Sequence, residues 1–391
     1  MRLLAVCESP PTIDAVHGNG STLITHHVLS RLPGDVELDV VWFADRDAEP
    51  SPEVAARASS MTALELRRPA AATAATAVTR LPRASWQRSS RSAMRLVRER
   101  SQRADRVYLH GLHTFALASA SAVPFVVNEV DPWSLFWRER ASSREDWAAA
   151  EYDRMQARRA ARLEAAAGRA AAAYVVVNPD DAVVLSRTLR RTVTAIPNGV
   201  DPRFSRLTSP DSGDVSLERP VLAFVGTLDY GPNVDAAVRL AREVLPAVQA
   251  EIPEATAVLA GRRPAPEVTE LASESVTVLG DVPDVGDVFR AATVAVYASE
   301  EGRGTKNSVL EAMASGCPVV VAPGSTRGLG AGDHLVSASA ADLATAIVAL
   351  LRDEPRRSRI AKAGRAYVES LPTWDDVAER YVHLIRHAGT V

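Results

Sequence analysis

Short runs of Val, Leu and Ile alternate with longer stretches of helical periodicity along almost the whole 391-residue chain, and this alternation leaves few folds open. A strand that reads as a continuous apolar run is buried on both faces, and a helix between two such strands is the usual crossover of a parallel pair. The expected class is therefore α/β, with doubly wound, Rossmann-like parallel sheets covered by helices on both faces. In the first half, strands are expected at residues 2–7, 36–43, 106–110, 124–128, 173–178 and 192–196. In the second half they are expected at 221–225, 256–260, 276–279, 294–297 and 319–321, with helices at 234–249, 285–292, 306–315 and 342–352. Residues 133–169 read as one long helix or a broken pair.

The length suits two domains. Pro, Gly, Ser and Asp cluster at 197–220, where no apolar period survives, so the join belongs there. Residues 1–190 carry 25 Arg against 22 acids, a balance of +3, while 191–391 carry 18 Arg and 2 Lys against 26 acids, a balance of −6. The overall charge of −3 argues against a nucleic-acid protein, which needs a basic excess to neutralise phosphates. Two cysteines, Cys7 and Cys317, are too few for a disulfide framework or a Cys-rich zinc site. The apolar run at 3–7 is shorter than a signal-peptide core, and no stretch approaches twenty apolar residues. A cytoplasmic protein is expected.

The strongest local signal runs from Gly302 to Val320: Gly-Arg-Gly-Thr-Lys-Asn-Ser-Val-Leu-Glu-Ala-Met-Ala-Ser-Gly-Cys-Pro-Val-Val. It reads as a glycine loop leaving a strand, a helix N-terminus, a glycine stop and a further strand. Ligands of open α/β sheets bind at the carboxyl ends of strands, and a helix N-terminus offers phosphate unpaired N–H groups and a partial positive charge. Arg303 and Lys306 add full charges beside it. Glu311, one and a half turns into the helix, has an acceptor-only carboxylate suited to two vicinal hydroxyls. An ordinary loop and helix with a solvated Glu311 is the other reading.

The run Leu310-Glu311-Ala312-Met313-Ala314-x-Gly316-x-Pro318-Val319-Val320 closely resembles the donor-binding motif of the family 4 glycosyltransferases, which are built on the two-Rossmann GT-B fold. Gly18-Asn19-Gly20 resembles the family's N-terminal glycine loop. Pro197-Asn198-Gly199-Val200-Asp201 with Phe204 resembles its interdomain motif. Phe224-Val225-Gly226-Thr227-Leu228 with Pro232-Asn233 resembles the first strand and turn of its C-terminal domain. Trp374 matches the head of its terminal helix. The resemblance implies an acceptor-binding domain at 1–196, a donor-binding domain at 197–372 facing it across a cleft, and a helix at 373–391 packing back on the first. It also implies transfer of a sugar from a nucleotide diphosphate sugar, as co-substrate, to an acceptor hydroxyl, with retention and without a metal or other cofactor. Gly18, Asn19 and Gly20 would then approach the donor phosphates, Lys306 and the backbone at Gly226-Thr227 would meet the diphosphate, and Gly304, Thr305 and Asn307 would belong to the donor site. Gly280, Asp281 and Val282 would meet the base, and Glu311 the ribose. Positive side chains and helix dipoles stabilise the leaving diphosphate in such enzymes. The Asp-x-Asp triplet at 45–47, which mimics the metal site of the other glycosyltransferase fold, reads as a solvated turn.

The chain departs from the family pattern twice. Arg303 stands where members commonly carry a glutamate against the transferred sugar, so the catalytic role at this point falls to Arg303 or, if the loop is shifted, to the nearby Glu300 or Glu301. The usual basic pair after Gly226 is missing, since Thr227-Leu228-Asp229-Tyr230 holds no Arg or Lys, so the diphosphate charge falls to Arg303 and Lys306. Family members often place a histidine or acid after the fourth or fifth strand, where this chain has Glu129 and Asp131. Either could orient the acceptor hydroxyl or take its proton; alternatively, Asp131 caps the helix opening at Pro132. His110 and His113 read as structural, and Trp133 and Trp137 as core packing.

The nine arginines at 80–106, against Glu99 and Asp105, form either a solvated face or a peripheral contact with an anionic inner-membrane surface bearing a lipid-linked acceptor. Two further readings stay open: a nucleotide-sugar epimerase on the same fold, and a donor-binding partner that lost catalysis when a glutamate became Arg303. The chain holds 43 Arg and 2 Lys, and Lys306 lies in its strongest motif. Lys306→Ala should weaken nucleotide-sugar binding, read by calorimetry, more than any single Arg→Ala at 80–106. Unchanged affinity would return this lysine to the background.

Overall fold

The computed structural model describes residues 1–13, 18–44, 48–67, 79–205, 219–299, 307–326, 328–330 and 332–389. The chain divides into two compact units, Met1–Asn198 with Trp374–Val391, and Gly199–Thr373.

The first unit is built on seven strands: β1 (Arg2–Cys7), β2 (Glu37–Ala44), β3 (Ala58–Glu65), β4 (Arg106–His110), β5 (Phe125–Asn128), β6 (Ala173–Val176) and β7 (Thr194–Ala195). They pair in parallel in the order β3-β2-β1-β4-β5-β6-β7. Side chains alternate along β1, so that Leu3, Ala5 and Cys7 enter one apolar cluster and Leu4 and Val6 the other. Ile24 and Val28 of helix Gly20–Ser30 cover the first face, together with Val377, Tyr381 and Ile385 of helix Trp374–His387. Val97 of helix Arg91–Ser101 and Leu163 of helix Trp147–Ala170 cover the second. Helix Trp374–His387 carries its buried residues at the three-and-four spacing of an amphipathic helix.

The second unit holds six strands: β8 (Val221–Val225), β9 (Thr256–Gly261), β10 (Val276–Gly280), β11 (Val294–Tyr297), β12 (Val319–Val321) and β13 (Val336–Ser337). Their order is β10-β9-β8-β11-β12-β13, again parallel throughout. Both sheets reverse their strand order once, at β1/β4 and at β8/β11. A crevice at the carboxyl ends is expected at such a reversal.

The sequence reading omitted β3 and β13. Every second residue of β3 faces outward along an edge strand, and its only long apolar side chains are Met61 and Leu64, too few for a continuous run. β13 is two residues long. Residues 133–169 form a pair of helices, Trp133–Ser143 and Trp147–Ala170, the second opened by Asp146, whose carboxylate accepts the Ala148 N–H at 2.8 Å. The helical stretch expected at 234–249 begins at Gly231 and passes through a π turn, Leu240–Val244, just before Pro246. Proline has no N–H and crowds the preceding turn, and the wider π turn relieves that conflict. Asn198 falls in the first unit and Thr373 in the second, against expected edges at 196 and 372. No helix among the described residues is long and apolar enough to cross a membrane.

Tyr381 is fully buried on the first face. Tyr381→Ala should cost about 3–5 kcal/mol of stability in denaturant unfolding of the first unit, the usual toll for emptying an aromatic site. A loss below about 1 kcal/mol would remove helix Trp374–His387 from that unit's core.

Candidate functional site

In the second unit, three strand ends are stitched together. After β8, the Gly226 N–H donates to the Ala260 carbonyl at 3.1 Å and the Leu228 N–H to that of Arg262 at 2.8 Å. After β10, the Asp281 N–H donates to the Gly261 carbonyl at 2.9 Å. Gly261 has φ 151°, and a Cβ there would overlap the Gly226 carbonyl oxygen, so only glycine permits this approach. The loop after Gly226 is held by Asn233, whose Nδ2 donates to the Thr227 carbonyl at 3.0 Å. Asp281 sits in the left-handed region, φ 52°, and its carboxylate accepts the Arg263 N–H at 3.2 Å. Gly280 and Asp281 are exposed, Val282 half-buried.

Helix Asn307–Ala314 follows β11 and buries Val309, Leu310, Ala312 and Met313. Gly316, at φ 76°, stops it, and the Cys317 N–H returns to the Ala312 carbonyl at 3.0 Å. Glu311 lies half-buried on this helix. Burial pushes its carboxyl up to about 7, against the pull of Arg203 and Arg262, while Asp201 and Asp284 push the same way as burial. Arg203 also lies 3.5 Å from Asp201 and 4.8 Å above the Phe204 ring. The sequence reading named neither Arg203 nor Arg262; the Gly-Arg-Arg-Pro turn after β9 was the available signal for Arg262. Glu301, Arg303, Gly304, Thr305 and Lys306 lie outside the described residues, as does the Asp-x-Asp triplet at 45–47.

In the first unit, Asn19 opens helix Gly20–Ser30 with a reciprocal cap: its Oδ1 accepts the Ser21 and Thr22 N–H groups at 2.8 and 3.1 Å, and Thr22 Oγ1 accepts the Asn19 N–H at 2.7 Å. Gly18 is buried and Gly20 begins the helix. A buried polar chain extends from here across the β1/β4 reversal. Asn128 Oδ1 accepts the Val130 N–H at 3.0 Å, which fixes the amide and points Nδ2 at Tyr108 Oη, 2.9 Å, and Tyr381 Oη, 2.8 Å. Tyr108 then donates to His110 Nδ1 at 3.0 Å, so the ring proton resides on Nε2, which donates to Ser21 Oγ at 2.9 Å. Ser21 in turn donates to Glu8 Oε1 at 3.3 Å. Burial lowers His110 to about 3 and keeps it neutral. With Nε2 protonated, His110 is a hydrogen-bond donor to Ser21 and not its base.

Glu129 and Asp131 are separated by a strained residue. Val130, β-branched, has φ 66°, held by Asn128 Oδ1 and by the Val177 N–H on its carbonyl at 3.1 Å. Glu129 is buried, with Oε1 accepting the Trp133 N–H at 3.1 Å and Oε2 the Tyr174 hydroxyl at 2.5 Å. The buried Glu164 accepts the next N–H, that of Ser134, at 2.8 Å. Burial and the neighbouring Glu164 push Glu129 far up, and burial raises Glu164 as well. The cap that sequence reasoning offered to Asp131 is thus made by these two carboxyls, and Glu129, expected beside the acceptor, faces inward to support helix Trp133–Ser143. Asp131 is half-buried at the carboxyl edge.

His113 is lowered to about 3 by burial and packs 5.0 Å from Trp133. Trp133 and Trp137 lie half-buried against the second face of the sheet, as core packing requires. The 80–106 stretch splits its charges. Arg100 turns to Asp39 at 2.6 Å and Arg88 donates to the Glu8 carbonyl at 3.0 Å, while Arg91, Arg95, Arg98 and Arg103 are exposed.

Residues 219–353 match the family model described as "Glycosyl transferases group 1". Among solved structures, sucrose-phosphate synthase of Thermosynechococcus elongatus is similar at 18% identity and TM-score 0.71, over 99% of this chain and 98% of that one. HepE of Anabaena, solved with UDP, is similar at 16% identity and TM-score 0.70, over 99% and 100%. The UDP-forming α,α-trehalose-phosphate synthase of Burkholderia xenovorans, solved with glucose-6-phosphate, is similar at 12% identity and TM-score 0.66, over 98% and 99%. No curated protein matches the chain. The fold is that of these GT-B glycosyltransferases, two Rossmann-like α/β domains, and the 219–353 segment carries the group 1 glycosyltransferase pattern.

The raised carboxyl of Glu311 makes its ionisation costly in the fold. Between the ordinary value of 4.5 and the folded value of about 7 the unfolded chain releases this proton first, so stability falls as pH rises and levels off above about 7. Glu311→Gln cannot titrate, and its stability relative to the parent should grow across that window when the second unit is unfolded in denaturant at each pH. A difference independent of pH would mean that Glu311 ionises as freely in the fold as outside it.

Proposed function

We propose that the protein is a glycosyltransferase that moves a sugar from a nucleotide diphosphate sugar to an acceptor hydroxyl, with retention and without a metal. The observation that carries this reading is the edge of the second unit at the β8/β11 reversal, where Gly226, Gly261 and Glu311 lie within the segment matched as group 1 glycosyltransferase. Glu311 holds the ribose hydroxyls, and an ionised carboxylate accepts from both. The backbone at Gly226-Thr227 and the side chain of Lys306 meet the diphosphate, and Gly280-Asp281-Val282 the base. HepE, solved with UDP and with UDP-glucose, favours a uridine diphosphate sugar.

The first unit takes the acceptor, with Asp131 positioned to orient or deprotonate its hydroxyl. Support for Asp131 comes from Val130, since strained backbone of this kind gathers at functional edges and is held here by a fully bonded Asn128. The exposed arginines of 80–106 suit a peripheral contact with an anionic membrane carrying the acceptor.

Incubated with UDP-glucose, GDP-mannose and ADP-glucose in turn, the protein should slowly release free nucleotide from one of them. Glu311→Ala should abolish that release. Affinity for the productive nucleotide should rise as pH passes through about 7 and Glu311 ionises, a trend that Glu311→Gln should lack. Failure of every donor to bind in calorimetry would overturn the reading.

A further inference from the structure

The loop after β8 is acidic where a diphosphate would want positive charge: Thr227-Leu228-Asp229-Tyr230 contains Asp229 and no cation. β9, hydrogen-bonded to β8, ends in Gly261-Arg262-Arg263-Pro264. Neighbouring parallel strands lie about 4.8 Å apart, so a long side chain one residue beyond β9 reaches the space above the end of β8. Here the approach is tighter still, because Gly261 rests against the Gly226 carbonyl and the Arg262 carbonyl accepts the Leu228 N–H.

The two arginines are used differently. Arg263 lies in the left-handed region, φ 49°, and its exposed side chain pairs with Asp229 at 3.0 Å. It neutralises the acid of the β8 loop. Arg262 has its backbone fixed between β8 and β9, is half-buried, and stands near enough to Glu311 to favour its ionised form. The charged groups gathered around Glu311 are Arg203, Arg262, Asp201 and Asp284. Asp201 lies beside Arg203, and Asp284 lies 3.4 Å from Arg290 and accepts the Gly286 N–H at 2.8 Å.

We propose that Arg262 is a diphosphate-binding residue, so that this chain delivers from the end of β9 a charge missing from its β8 loop. A guanidinium suits the task, since its planar fork can meet two phosphate oxygens at once and stays charged at any working pH. Gly261 is then part of the same device, because its close approach to Gly226 sets the Arg262 backbone against Leu228. The inference rests on the donor-site reading above.

Calorimetry on the full chain with UDP and with uridine tests it. Arg262→Ala should weaken UDP about tenfold or more, the size of a lost charge-assisted contact, and leave uridine unchanged. Arg262→Lys should keep part of the UDP affinity, and Arg263→Ala should change it by less than about twofold, as expected of an exposed ion pair. Parent-like UDP affinity in Arg262→Ala, or equal loss of UDP and uridine in both Arg262 variants, would overturn the assignment. A parent protein that binds none of UDP, GDP and ADP would instead overturn the donor-site reading, and this inference with it.

Discussion

A parallel strand can be followed by its neighbour only after the chain has crossed back over the sheet. Most crossings are made by a helix, each helix needs a face to bury, and both faces of each sheet are covered as a result. The same geometry sends every strand of a sheet the same way, so all loops that follow strands gather on one edge. In each unit the order reverses once, and the loops on either side of that reversal diverge. Gly226, Gly261 and helix Asn307–Ala314 flank the reversal in the second unit; Glu8, Ser21 and His110 flank it in the first.

Carboxyl groups at the two edges illustrate how burial separates scaffold from site. Glu129 and Glu164 are buried beneath the first turn of helix Trp133–Ser143, where they satisfy consecutive N–H groups and burial raises both carboxyls. Removing either carboxyl is costly, because it leaves an N–H of that buried first turn without its acceptor. Glu311 is raised less and lies among cations as well as acids, poised close to neutrality. A group in that position changes charge readily when its surroundings change.

Much of this was legible in the sequence. The central strands are continuous Val, Leu and Ile runs because both their faces are buried, and the helix with Glu311 is closed by Gly316. The edge strand β3 was hidden because half its residues face outward, and β13 because two residues carry no period. Side-chain roles were less legible than backbone. Glu129 and Asp131 are two positions apart and look equivalent as letters, yet the left-handed Val130 between them separates their surroundings, turning Glu129 inward against Tyr174. Arg262 was overlooked because its partner loop lies 34 residues earlier, at Leu228, and only strand pairing brings them together.

Helix Trp374–His387 belongs to the core of a unit whose other elements end at Asn198. A ribosome making this chain has therefore released the whole of Gly199–Thr373 before the first face of this sheet can be fully covered. Until then the apolar side of β1 that carries Leu3 and Ala5 lacks Trp374, Tyr381 and Ile385, while the continuous second unit can close on its own contacts. The unit that begins first during synthesis is thus the one completed last, and its half-covered sheet is the surface most in need of shelter from other nascent chains.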